Sequence, residues 1–306
     1  MEERWNLKRP TRVDVLVAGP VCLLLIALVP VLLAKPREQS TRRLCGANLA
    51  QIGKVMFIYA NDYKGALPRA GGPTTVWGTV PSWGLPSRYA AFGLNAKGQG
   101  GTATISSCFY LLVKYYETPT RLFICRGDKG TTEFRLSGWG RTIPTNFKLT
   151  DAWDFGPRSE SFKHCSYSYH IPYGRYYLTT SRDPNLAVAA DRNPYLRSPM
   201  ADPAPLALFK PDTKDFLGTP AQACAGNAMA HNRDGQNVLF LDGRVSFEKR
   251  AYCGVENDNI YLLSMFLERG SPVGAIPVPP TAAPSNEHDS ILVHDPNTWV
   301  SAVKTQ

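Results

Sequence analysis

The sequence predicts an α+β protein, in which a long N-terminal helix, transmembrane in its first part, packs on a head with an antiparallel β-sheet and long loops. Three observations predict it. Residues 15–34 carry no charged side chain. Residues 45–59 repeat apolar side chains at helical spacing. Two apolar runs flank Asp242-Gly243, a dipeptide of tight hairpins. Pro and Gly number 25 each in 306 residues, so much of the remaining chain is loop.

The uncharged run reads VLVAGPVCLLLIALVPVLLA. Its residues rise about 30 Å at ~1.5 Å each, the thickness of a bilayer's hydrocarbon core. It has no polar face, which a buried core helix would show. It ends Leu32-Leu33-Ala34-Lys35-Pro36, a poor signal-peptidase site, which favours an anchor over a cleaved leader. Pro20 and Pro30 would kink such a helix without ending it in lipid. Arg4, Lys8, Arg9, Arg12, Lys35, Arg37, Arg42 and Arg43 flank the run against Glu2, Glu3, Asp14 and Glu38. Nearly half of the net charge of +9 therefore sits where membrane-flanking cations are expected, and nucleic acid is not a predicted partner.

The organisation that follows is a cytoplasmic N-terminus over 1–12, a transmembrane helix over 13–35, an extension of that helix over 36–68, an exported head over 69–269 and a Pro-rich, disordered tail over 270–306. The expected location is a single pass through the inner membrane, with the bilayer as partner of residues 13–35. In the extension, Cys45, Leu49, Ile52, Met56 and Tyr59 form one apolar stripe for the head to pack on, and Lys64-Gly65 with Pro68 ends the helix.

Residues 71–104 predict an irregular insertion anchored by Trp77 and Trp83. Residues 106–117 (SSCFYLLVKYYE) predict a buried helix with Ser at its start. Residues 121–125 (RLFIC), 165–170 (CSYSYH) and 186–190 (LAVAA) predict short strands, and the Pro-rich stretch 193–222 predicts loop. The hairpin is expected over 237–241 and 244–248, with a type I′ turn in which Asp242 and Gly243 both take positive φ. Residues 260–269 predict a short helix or strand.

Cys45-Gly46-Ala47-Asn48-Leu49-Ala50-Gln51-Ile52-Gly53, with Tyr59 and Gly65-Ala66-Leu67-Pro68, resembles the opening segment of a large bacterial family of pilin-like proteins, the domain-of-unknown-function family 1559. His231 through Asp242-Gly243, with Asn237 between, resembles that family's C-terminal His-x(9–10)-Asp-Gly signature. The resemblance covers residues 10–260 and implies a pilin- or pseudopilin-like fold and assembly with like subunits. Such proteins begin as prepilins, with a Gly before the cut. Here Arg9 and Pro10 stand at that place and should defeat the peptidase, while Asp14 keeps the acid. An uncleaved, tethered relative is the expectation.

Cys22 lies in the apolar run. Cys45, Cys108, Cys125, Cys165, Cys224 and Cys253 lie in the predicted exported part, and an even number there suggests disulfides without choosing among the 15 pairings of six thiols. No C-x-x-C spacing suggests zinc. Asp191, Asn193, Asp234 and Asp258 are candidate Ca²⁺ ligands, although no D-x-D-x-D-G loop supports them, and no other cofactor is implied. Three functions are carried forward. The first is a non-enzymatic structural protein of the envelope. The second is a tethered module binding a glycan or envelope component through Trp77 and Trp83. The third is a hydrolase using His231 and an acid, for which no nucleophile motif is present.

Overall fold

The computed structural model describes residues 12–139 and 143–296, apart from the side chains of 12–15, 17–19 and 22–37. The chain divides into two compact units, residues 1–41 and 42–306.

In the first unit every described residue belongs to α1 (Arg12–Asp62), with Leu16 and Val21 exposed. Among the described residues no helix is long and apolar enough to cross a membrane. The expected transmembrane segment at 13–35, the pilin-like class built on it and the single-pass inner-membrane location are therefore corrected. The apolar run is not a segment of its own. It is the start of a 51-residue helix that continues unbroken through Lys35 and Pro36, past Arg37, Glu38, Arg42 and Arg43, to the apolar stripe. Arg9 and Pro10 lie outside the described residues, as do the side chains of Asp14 and Cys22.

The second unit is mostly sheet and loop. After α1 come β1 (Val76–Trp77), α2 (Arg88–Phe92), β2 (Thr102–Ala103) and α3 (Ile105–Tyr116). Then follow β3 (Tyr167–His170), β4 (Ala187–Asp191), α4 (Pro220–Cys224), β5 (Gln236–Phe240) and β6 (Val245–Glu248). The short strands β7 (Leu263–Ser264), β8 (Gly274–Ala275) and β9 (Leu292–Val293) complete the order. The main sheet has five antiparallel strands in the order β6-β5-β4-β3-β9.

Both faces of this sheet are covered. Leu239, Val188 and Ala189 join the core that holds Cys45, Leu49, Ile52, Met56 and α3. Val238, Phe240, Ala187, Ala190 and Leu292 join a second core with Tyr195, Phe209 and Tyr261. A register shift between Ala187 and Ala189 reorders which side chains face which core. Double burial explains why β4 reads as a continuous small apolar run rather than an alternation. Close approach of α1 to the sheet needs Gly53: a Cβ there would stand 2.8 Å from a methyl of Leu239.

Several local expectations change. The stretch RLFIC is a 3-10 turn at Thr120–Phe123, not a strand. The cap of α3 is Thr104, whose Oγ1 accepts from the Ser107 N–H at 3.0 Å, one residue before the helix begins. In the hairpin only Gly243 has a positive φ, 88°, while Asp242 does not. The Phe240 carbonyl accepts from Gly243 N–H, and Phe240 N–H donates to the Arg244 carbonyl. This is a three-residue loop with a left-handed glycine at its end, which accommodates strand twist with one left-handed residue rather than two. The predicted disordered tail is also corrected over its described part. Leu292 and Val293 pair with His170 and Tyr169, because they bury apolar side chains at a strand edge that is otherwise open.

Candidate functional site

Strands β4 and β5 end their pairing beside a polar seam. A 3-10 turn at Met229–His231 precedes Asn232 and Arg233, both left-handed at φ 56° and 61°, and this tight reversal places the His231 ring over the start of β5. The Asp191 Oδ2 accepts from the Asn237 N–H at 2.7 Å and from Asn237 Nδ2 at 3.2 Å. His231 Nε2 lies 3.3 Å from the same oxygen and 3.8 Å from Cys125 Sγ. Cys125 is disulfide-bonded to Cys45 of α1, with Cα atoms 5.2 Å apart. Asp191 Oδ1 is buried and has no hydrogen-bond partner among the described residues.

The seam is closed from several sides. Phe247 stands edge-on to His231, and Arg42 lies over Phe247 while pairing with Asp234. Gly127 backs the ring so tightly that a Cβ there would meet the Ala230 carbonyl at 2.1 Å and the ring at 3.3 Å. Asn48 Nδ2 donates to the Ile124 carbonyl, and the Tyr167 hydroxyl to the Cys45 carbonyl, so α1 is fastened on both sides of the disulfide. Next to Asp191, Arg192 Nε pairs with Asp128 at 2.9 Å, and its Nη2 donates to the carbonyls of Phe162 and Cys165. Burial pushes the Asp128 carboxyl above the usual range, opposed by Arg192.

The structure brings together His231, Asn237, Asp191, Cys45 and Cys125, with Asn48 and Leu49 alongside; Gln51 is exposed on α1. Asp242 and Gly243 form the hairpin loop, where Asp242 Oδ1 accepts from the Arg244 N–H. The four suggested Ca²⁺ ligands do not assemble. Asn193 holds the Tyr261 and Leu292 carbonyls, Asp234 pairs with Arg42, and Asp258 accepts from the N–H groups of Ser271 and Ser290. With Asp191 holding Asn237, the four side chains serve different parts of the fold. Cys108, Cys165, Cys224 and Cys253 are free thiols. Trp77 is fully buried, its indole N–H donating to Asp295, and Trp83 packs against Phe134, Trp139 and Phe147. They are not an exposed aromatic platform.

Two groups that no sequence motif marks are the Arg192–Asp128 pair and an open cavity of about 470 Å³. The only signal for the first is that Arg192 sits inside Asp191-Arg192-Asn193, three consecutive polar residues ending an apolar strand. The cavity is lined by Thr213, Asp215, Phe216, Glu256, Phe266 and Arg269, together with Asn257 and the backbone near Gly270. Leu217, Glu256 and Asn257 adopt left-handed backbone at φ 53°, 55° and 62°. Arg269 lies 4.4 Å over the Phe266 ring, and the Gly270 N–H donates to Glu256.

Comparison with family models, with curated proteins and with solved structures finds no match to this chain. The resemblance to family 1559 rests on the motif residues alone.

Proposed function

We propose that this chain is a non-enzymatic binding module, that its ligand is a glycan, and that the glycan is taken in the open cavity around Phe266. The observation that carries this reading is the presence of two left-handed non-glycine residues, Glu256 and Asn257, in the lining of the cavity. Such backbone costs about 1–3 kcal/mol per residue and gathers at ligand clamps. The volume falls within the range of small-ligand sites, ~300–1,000 Å³. Asp215, Glu256, Asn257 and Thr213 offer donors and acceptors to hydroxyl groups. Phe216 and Phe266 offer apolar ring faces to the C–H side of a sugar ring.

In this reading His231, Asn237 and Asp191 act inside the head. They hold α1, the Cys125 loop and the start of β5 in one arrangement, and the cavity depends on loops carried by that frame. The test is binding of the full chain to a panel of cell-envelope oligosaccharides, followed by calorimetry with Phe266→Ala and Asn257→Ala. The expected result is a saturable oligosaccharide ligand whose affinity falls at least about tenfold in each variant. Absence of any glycan ligand, or unchanged affinity in Phe266→Ala, would falsify the reading.

A further inference from the structure

We propose that Cys45, Cys125 and His231 form a redox-gated metal site beside Asp191, disulfide-closed when oxidised and able to hold one zinc-class divalent ion when reduced. This is independent of the glycan cavity. Among the described residues, one sulfur of each cysteine and a ring nitrogen of His231 lie within 4.8 Å of one another. The S–N separation suits a tetrahedral ion. Zinc distances of about 2.3 Å to sulfur and 2.0–2.1 Å to nitrogen give an S–N edge of about 3.6 Å. The observed edge is 3.8 Å from Cys125 Sγ to His231 Nε2.

A second observation points the same way. Asp191 is completely buried, and its Oδ1 has no hydrogen-bond partner among the described residues. A buried carboxylate oxygen without a donor is costly in a folded protein, and a cation beside it removes that cost. Asn237 holds Oδ2 through two N–H groups and so fixes this carboxylate beside His231, the kind of outer support that metal-ligating histidines receive. Two thiolates and one imidazole select zinc-like ions over Ca²⁺ or Mg²⁺, which prefer all-oxygen sites.

The chemistry balances with a dithiol as reductant. Two electrons and two protons pass to the Cys45–Cys125 bond, which breaks to two thiols while the dithiol becomes a disulfide. The ion then displaces both thiol protons to solvent and binds two thiolates and neutral His231 through Nε2, with a water oxygen in the fourth position. Reoxidation by a disulfide partner reverses the sequence and expels the ion.

The experiment titrates Co²⁺ into the full chain, oxidised and after reduction with a phosphine, and then displaces it with Zn²⁺. The expected result is one Co²⁺ per reduced chain, with thiolate charge-transfer absorption and tetrahedral d–d bands, and none per oxidised chain. Cys224→Ser with Cys253→Ser should leave this unchanged, and His231→Gln should weaken it by about 10–100-fold. ¹¹³Cd NMR of the unmutated reduced chain reads the donors without relying on a variant, and a shift for two sulfurs with nitrogen and oxygen is expected. The proposal is overturned by equal binding to the oxidised chain, by a cadmium shift for four sulfurs, or by no saturable binding on reduction. The last includes a reduced chain that has lost near-UV circular dichroism which the metal does not restore.

Discussion

Asp191 ends strand β4 and Glu256 sits in a short 3-10 turn, and the two acids live on opposite terms. Asp191 is completely buried, with Asn237, His231 and the Cys45–Cys125 bridge packed around it. Glu256 is exposed on the rim of a cavity, in left-handed backbone, where it accepts from the Gly270 N–H. In the first region the polar side chains are sealed inside the fold, where Asn237 holds Asp191 Oδ2 and Oδ1 is kept without a hydrogen bond at a cost. In the second, polar groups face water and stay available to a ligand. On the proposed function, the first region maintains the head and the second recognises the glycan, so the His-to-Asp-Gly motif is not the glycan site.

The comparison breaks most sharply at the disulfide. Cys45 and Cys125 close a loop spanning 80 residues. Replacing both by Ser should lower stability by about 4 kcal/mol, on the loop-entropy argument, in urea or guanidinium unfolding. Glycan affinity measured where the variant remains folded should not change. Arg192→Met comes next. It leaves Asp128 buried without its partner and removes donors from the Phe162 and Cys165 carbonyls, so a loss of about 3–4 kcal/mol is expected by the same measurement. A loss under 1 kcal/mol would show that the seam is not the fastening assigned to it.

A graded effect should appear with pH, because the polar interior continues from Arg192 toward α3. Asp154 takes bonds from the Thr104 and Ser106 hydroxyls, and Asp295 from the N–H groups of Ile105 and Ser106. Burial, then the charge of Asp295, raises the Asp154 carboxyl from its ordinary 3.8 to about 7. A raised acid holds its proton longer in the folded chain than in the unfolded one. The folded state therefore binds more protons between those two values, and stability contributed by this group falls as pH rises from 3.8 to about 7. The slope is at most about 1.4 kcal/mol per pH unit for one proton. Asp154→Asn should flatten that part of the stability profile, and an unchanged profile would place the proton elsewhere. The smallest stability effect belongs to the cavity. Phe266→Ala, at an exposed side chain, should alter unfolding free energy by no more than about 0.5 kcal/mol. It should nonetheless reduce glycan affinity, the reverse of the seam variants.

Some of this is readable along the chain for a plain reason. Cys45, Leu49, Ile52, Met56 and Tyr59 recur at helical spacing, and all five are buried on one face of α1. The apolar run LAVAA and the apolar stretches around Asp242-Gly243 locate β4, β5 and β6, because local period and turn chemistry are properties of neighbours in sequence. A count of uncharged residues was less secure. It measured a length without the helix to which that length belongs, and the described residues contain no membrane-crossing helix.

The rest required the folded chain. Six thiols allow 15 pairings, and only the arrival of α1 beside the loop after Ile124 selects Cys45 with Cys125. β9 is two residues long and follows a Pro-rich stretch, so its place beside β3 comes from an open strand edge rather than from any pattern of its own. The Arg192–Asp128 pair joins positions 64 residues apart, and the cavity gathers three loops between residues 213 and 272. By itself the sequence determined which faces are apolar and where the chain turns, since both are set within a few residues. Which cysteine meets which, which acids are sealed, and where the surface opens were decided by tertiary packing, because burial and distance depend on parts of the chain far apart in sequence.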